Sequence, residues 1–419
     1  MRRVDVAIAG AGLAGLCAAR ALRARGIDCE LFEASDDVGG RVRTDRAQGF
    51  LFDRGFQVLL TAYPECRSQL DYKALRLGMF HPGAQVAAAG RFWTVADPRR
   101  MPLQIFETLR APIGGFADKL AVLRLVAKAN AGGLDALFRR RDTTTLDSLR
   151  RLGFSNRMID RFWRPFLGGI FLGRDLGASS RMMEFVIRMM SQGGTALPAA
   201  GMGAIPRQLA QAVPPHALHL REPVAAVDGE GLTLARGERI AARAVIVATD
   251  GPAAAALLGA KSPDPGSRPA TVLYFAAQSP PVEGPWLVLN GERTGPVNNL
   301  CVPSEVCPSY APPGVSLVSA VVLGDWRGTE GELVRDVRAQ LVHWYGASAG
   351  KWEYLRHYRI RHAQPEQAPG SGVGEPRARM LAPGLFLCGD HAESASIHGA
   401  MRSGRRAAAL AARWLRNAN

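Results

Sequence analysis

The segment that most constrains this chain is its start, where the apolar, β-branched run Val4–Ala9 leads straight into Gly10-Ala11-Gly12-Leu13-Ala14-Gly15. A strand ending in G-x-G-x-x-G and followed by the helical spacing of Leu13–Leu22 predicts a strand, a tight turn and a helix. Gly10 permits the turn, Gly12 lets a pyrophosphate approach the main chain, and Gly15 lets the helix lie close to the strand. The N–H groups of the helix start then face an anion. A second short strand, Cys29–Glu33, completes a βαβ unit and ends on an acidic residue about twenty positions after the glycines, where a carboxylate accepts from ribose hydroxyls. Glu33 also repels a 2′-phosphate, so the loop predicts FAD or NAD rather than NADP.

At 419 residues, 47% of them hydrophobic, the chain is long enough for two or three domains. It has no uninterrupted apolar run of about eighteen residues, so no transmembrane helix is expected. The start MRRVDVAIAG imitates a signal peptide, but Asp5 interrupts it and the glycines mark a strand–helix turn. The six cysteines are scattered, without C-x-x-C, which predicts a reduced, cytoplasmic protein with no metal site. A net charge of +15 raises the question of an acidic partner. Only five of the 52 basic residues are lysine, the arginines are spread along the whole chain, and no basic–aromatic motif occurs, so nucleic acid is not an expected partner. Arg99–Arg141 mixes basic and apolar residues at helical spacing. It reads by default as a solvated face, with peripheral membrane contact as the alternative. Nothing in the sequence speaks to oligomeric state.

Further along, roughly Asp97 to Gln192 is helical in pattern, with a Thr cap before the helix in TTTLDSLRRLGFS, and Gly193–Pro198 breaks it. Short strands follow from Leu218 to Ala248, ending in the buried run AVIVAT. Strands are expected at Thr271–Ala277, Trp286–Leu289 and Val315–Val322, a helix at Glu330–Tyr345, and a loop at Ala363–Glu375. A last strand, Leu385–Cys388, precedes a helix from about Ile397 to Arg416.

Two further motifs separate FAD from NAD. In Val38-Gly39-Gly40-Arg41, the glycines bring the main chain close to a diphosphate while Arg41 pairs with it. Near the C-terminus, a strand ending in Gly389-Asp390 offers a carboxylate to a ribityl chain, and the helix beginning near Ile397 turns its positive end toward a flavin.

VAIAGAGLAGLCAARALRARGIDCELFEA followed by VGGRVRT, together with PGLFLCGDHAESASIHGAMRSGRRAA, resembles the flavin-containing amine oxidase superfamily, including its phytoene-desaturase-like and protoporphyrinogen-oxidase-like branches. FDRGFQVLLTAYPE is similar to the segment that runs beside the flavin ring in the desaturase-like branch. The resemblance implies an α/β fold: a discontinuous Rossmann-type FAD-binding domain plus a substrate domain with a mixed β-sheet and a helical lobe. On this sequence the FAD-binding parts fall at 1–85, 193–260 and 376–419, the mainly helical lobe at 86–192, and the substrate-domain sheet at 261–375. It further implies non-covalent FAD. The contacts carried over are Gly10, Gly12, Leu13, Ala14, Gly15, Glu33, Ala34, Gly39, Gly40 and Arg41 in the N-terminal part. Gly55, Phe56, Gln57, Val58 and Val224 follow, then Gly389, Asp390, Ser396, Ile397 and Ala400.

Flavin chemistry asks the protein mainly to orient a substrate in a dry pocket, and no acid–base pair stands out. His398, next to Gly399-Ala400, is the best catalytic candidate, with a purely structural role as the default; His391 reads as structural just as readily. The stretch Met182–Met190 reads as ordinary core or as the wall of a lipophilic tunnel, and Asn298-Asn299 as a turn. Many amine oxidases of this superfamily place a lysine on a substrate strand, but TVLYFAA has none, which leaves the place open to a lysine from another loop, such as Lys261. They also keep a tyrosine three residues before the C-terminal Gly-Ala pair, where this chain has Ser396. These departures favour desaturation or isomerisation of an apolar, polyene- or terpenoid-like molecule. The alternatives are an amine or amino-acid oxidase, or a non-enzymatic lipid-binding escort protein of the same fold.

Overall fold

The computed structural model describes residues 2–374 and 378–417, and its organising element is a sheet assembled from three distant stretches of chain. Arg2–Ala9 pairs in parallel with Cys29–Glu33 on one side and with Arg239–Val247 on the other. Leu218–Leu220 lies in parallel beyond Cys29–Glu33, and Leu385–Leu387 runs parallel to the end of Arg239–Val247. Val6, Ile8, Leu31, Ile246 and Phe386 are buried because helices and loops cover both faces, which is why these strands are almost continuously apolar. The carboxyl ends of all five strands therefore meet at one edge.

Against this sheet lies the first helix, Leu13–Arg23, buried on nearly every side because the C-terminal helix, Ile397–Asn417, packs on its outer face. Missing side chains set both spacings. A Cβ on Gly15 would stand 2.0 Å from the Gly10 carbonyl oxygen, and one on Gly404 would stand 2.0 Å from that of Ala14.

A second, mixed sheet runs in the order Glu353–Pro365, Ser267–Ala277, Ser316–Leu323, Val297–Cys301, Leu287–Asn290, Gly83–Ala88, Arg91–Ala96. Its pairs are antiparallel except Leu287–Asn290 with Gly83–Ala88. Leu273 and Phe275 face the helix Glu330–Tyr345 through Leu333, Val337 and Leu341, whereas Val272 and Tyr274 face the main core. Both sides of TVLYFAA are covered, so it is apolar throughout. Thr144 caps the helix Thr145–Arg151 by accepting from Asp147 N at 3.0 Å, as its sequence implied.

Three expectations are corrected. The hairpin Gly83–Ala88/Arg91–Ala96 belongs to the second sheet, so a boundary at residue 85 cuts a strand. Ala84, Ala87 and Ala88 carry little β-propensity, so the strand is hard to read from the sequence even though it pairs locally with Arg91–Ala96. Glu353–Pro365 is a 13-residue edge strand that overlaps the start of the expected loop at 363, hidden by its charged, half-exposed residues. Asn298 and Asn299 are buried within Val297–Cys301, not in a turn, with Asn298 Nδ2 donating to Pro165 O at 2.8 Å. Glu375 and the boundary at 375/376 lie outside the described residues.

Asp53 joins these parts. Its carboxylate accepts from Thr44 Oγ1 at 2.5 Å, Tyr310 Oη at 2.7 Å and Met202 N at 2.9 Å, while its carbonyl accepts from Tyr274 Oη at 2.8 Å. Burial pushes this carboxyl up to about 6 even though its three donors pull the other way. The folded state then holds a proton the unfolded chain releases, and the associated stability is lost as pH rises through about 6. Tyr310→Phe should cost about 1–3 kcal/mol near pH 8, with the gap to the native protein narrowing as pH falls to about 6 and below, followed by denaturant melts across pH.

Candidate functional site

Loops from the carboxyl ends of the parallel strands converge on one continuous cavity of about 1730 Å³. Gly10 and Gly12 follow the first strand, Glu33 and Ala34 end the second, and Ala248, Thr249 and Asp250 follow Arg239–Val247. Pro223 and Val224 come after Leu218–Leu220, and Gly389 and Asp390 after Leu385–Leu387. Ligands of open parallel sheets bind outside this edge.

Gly10, at φ +101°, takes a conformation that side-chain-bearing residues avoid, and so do Gly39 and Gly40, at +112° and +58°. Gly12 is different: its backbone is ordinary, and a Cβ there would meet nothing of the protein within 4 Å. The space its missing side chain leaves belongs to the cavity. Glu33 is fixed at the rim, accepting from Ala11 N at 2.7 Å and from Ser35 N and Oγ at 2.9 and 2.7 Å. Arg41 spans the molecule, pairing with Asp390 at 2.6 Å and donating to Ala363 O at 3.1 Å. Burial alone would raise the Asp390 carboxyl; Arg41 and the adjacent His391 outweigh it and hold the group well below the carboxylate range.

The structure brings nearly all the sequence-derived residues to this cavity: Leu13, Ala14, Gly55, Phe56, Gln57, Val58, Val224, Ser396, Ile397 and Ala400 line it with those above. Two do not line it. Gly15 acts behind the loop, as spacer between helix and strand. His398 points inward: its ring packs on Tyr63 and Phe185, at 5.7 and 5.4 Å between centroids, and its Nδ1 accepts from Glu65 N at 3.3 Å. Ile397 and Ala400 share the cavity face of the helix, and one residue of helical rotation turns His398 away from it. Burial lowers its pKa to about 4, and it is not among the residues that line the cavity. Ser396 caps this helix, its Oγ accepting from Gly399 N at 3.0 Å.

Beyond the cradle, the cavity extends into the helical lobe. Met182, Val186 and Met190, one turn apart on Ser180–Gln192, line it, while Met183 and Met189 are core. The lining also includes Val122 and Val126 from Phe116–Asn130, which packs on that helix, and Phe162, Trp163 and Phe166 around the π-turn Ile159–Trp163. The sequence reading passed over that aromatic set, although RFWRPF spells it out. Lys261 ends the short 3₁₀ turn Gly259–Lys261 and does not reach the cavity, and no lysine is among the described lining residues. Three buried polar atoms of lining residues lack a protein partner: Gln57 Oε1, Trp163 Nε1 and Thr271 Oγ1.

The sequence pattern described as flavin containing amine oxidoreductase matches residues 13–412. The chain belongs to this family. Among similar proteins, protoporphyrinogen oxidase 2 of Arabidopsis thaliana is 42% identical over 169 residues, 39% of this chain and 32% of that protein. The 4,4′-diapophytoene desaturase of Staphylococcus haemolyticus is 40% identical over 57 residues, 14% of this chain and 11% of that protein. The chain thus aligns with about a third or less of the length of these curated relatives. In fold it matches the cyclohexylamine oxidase of Brevibacterium oxydans, with a TM-score of 0.73, 21% identity and 99% of both chains covered. The amine oxidoreductase family is a flavin family, and the glycine cradle, with the open space at Gly12, and Glu33 at its rim fit such a group.

Gly12→Ala should leave the melting temperature close to native, because its methyl meets no protein atom, yet reduce flavin retention by filling the cradle. Gly15→Ala should instead destabilise the fold. Arg41→Ala strands a buried carboxylate; with Arg41 itself 30% exposed, the cost should be about 3 kcal/mol, alongside at least tenfold weaker flavin binding. Absorbance of the purified variants and thermal melts measure both effects.

Proposed function

We propose that this protein is an oxidoreductase that holds FAD without a covalent link and desaturates or isomerises a carbon–carbon bond of an apolar, polyene- or terpenoid-like molecule. The observation that carries this reading is the continuity of the cavity. One end has the glycine loops and Glu33 that suit an ADP moiety, and the other is walled by Met182, Val186, Met190, Phe162 and Phe166. None of the six cysteines lines it, which supports a non-covalent cofactor.

When bound, FAD would supply the redox chemistry, the hydride and the proton lost from neighbouring substrate carbons in a desaturation together giving FADH2. The chain's own residues do the rest. Apolar side chains of the lobe exclude water and align an extended substrate. The start of Ile397–Asn417, capped by Ser396, sets a positive helix end at the cavity wall, and the Arg41–Asp390 pair fixes the first and last parts of the cradle against each other. Among the described lining residues, burial lowers the pKa of His81 and raises that of Tyr63.

The purified protein should therefore be yellow and release FAD on denaturation. Extended apolar alkenes should bleach its flavin anaerobically or emerge isomerised, at a rate flat from about pH 7 to 9, since no lining group ordinarily titrates there. Rapid reduction by simple amines, with hydrogen peroxide on reoxidation, would establish an amine oxidase instead. A colourless protein that FAD cannot reconstitute would leave only a lipid-binding role.

A further inference from the structure

Among the described residues, seven of the ten large hydrophobic side chains left exposed fall between Leu103 and Leu123. Leu103 is 90% exposed, Phe116 83%, Phe106 70% and Leu123 63%. On the helix Phe116–Asn130 the pattern is inverted from that of an ordinary surface helix. Asp118, Ala121, Leu125 and Ala129 face inward, while Phe116, Leu120, Leu123 and Ala127 form an outward stripe at i, i+4, i+7 and i+11. Leu109 and Phe106 of Ile105–Arg110 continue the patch, and Lys119 Nζ, donating to Leu109 O at 2.6 Å, ties the two helices together.

The charge around this patch is one-sided. Between Arg99 and Asn130 stand six basic residues and two acidic ones. Both acids turn inward: Glu107 accepts from Thr94 N at 2.8 Å, and Asp118 from Gly115 N and Ser155 N at 2.7 and 2.6 Å. Arg110 and Arg124 flank the stripe with exposed side chains. The cavity opens here as well, because Leu123 is both exposed and part of its lining, next to Val122 and Val126, and Arg99 and Arg100 line it too.

We propose that this face docks on an anionic lipid surface, with Leu103, Phe106 and Phe116 entering the acyl boundary, Arg110 and Arg124 at headgroup level, and the cavity mouth turned toward the lipid. Exposed apolar residues rimmed by cations are the signature of interfacial helices. No described helix is long and apolar enough to cross a membrane, so the contact is peripheral. A second copy of the chain suits the face poorly, because a two-fold interface here would bring like charges from Arg110 and Arg124 together. An apolar compound dissolved in lipid would reach the cavity without crossing water.

The test is co-sedimentation of the flavin-loaded protein with phosphatidylcholine vesicles, with and without about one-third phosphatidylglycerol, at low and high salt. Binding should be strong only to the anionic vesicles and fall as salt rises. The triple variant Leu103→Ser, Phe106→Ser, Phe116→Ser, none of whose residues lines the cavity, should bind at least roughly tenfold more weakly while retaining its flavin. Leu410→Ser, on the C-terminal helix, should bind as the native protein does. Sedimentation reads binding alone, so failure of the proposed reaction would not be mistaken for failure of docking. The proposal is overturned if native protein stays in the supernatant, if the triple variant sediments like native protein, or if light scattering shows a dimer that the triple variant abolishes.

Discussion

Everything at the ligand end of this protein depends on three layers of backbone lying closer than side chains allow. Gly15 lets the first helix rest on the turn that precedes it, and Gly404 lets the C-terminal helix rest on Ala14. A methyl group at either place would sit 2.0 Å from a carbonyl oxygen, a clash that rotamer changes cannot relieve because backbone is on the other side. The starts of both helices consequently end at the same cavity, one behind the glycine turn and one behind Ser396, so two positive helix ends converge there.

Two buried carboxylates show how the same burial is used in opposite ways. Asp390 has a guanidinium within 2.6 Å and stays ionised; Asp53 has only neutral donors and titrates near 6. The first is a charge kept at a ligand site, where breaking the pair is expensive and making it adds little net stability. The second is a polar junction between the hairpin Thr44–Ala47/Phe50–Asp53, the second sheet at Tyr274 and the loops at Met202 and Tyr310, whose worth lies in satisfied donors. A charge held at a cavity wall is better explained by what it orients than by what it stabilises.

The sequence revealed most where chemistry and local geometry coincide. Gly10 to Gly15, Glu33, Gly39 to Arg41 and Gly389-Asp390 were legible because each needs a special backbone or charge in fixed order along the chain, and the helix Glu330–Tyr345 because its cap and periodicity agree. What stayed hidden was set by tertiary partners. Ala84 to Ala87 are held on one side by Leu287–Asn290, some two hundred residues away, and Glu353–Pro365 pairs with Ser267–Ala277. His398 looked poised for chemistry because sequence adjacency to Ala400 says nothing about helical phase, and Ser396 looked like a vacated wall when it is a cap.

The parallel sheet also has a history in time. Its central strand, Arg2–Ala9, leaves a ribosome first, but its partner Arg239–Val247 follows more than two hundred residues later, and Leu385–Leu387 later still. Until then the early strands present open edges, and the helix Leu13–Arg23 has neither its outer cover nor Arg41 its counter-ion. Contacts of such long sequence separation form slowly and leave apolar surface exposed meanwhile. The cradle can therefore close around a cofactor only after Leu385–Leu387 has joined the earlier strands and Asp390 the arginine made 349 residues before it.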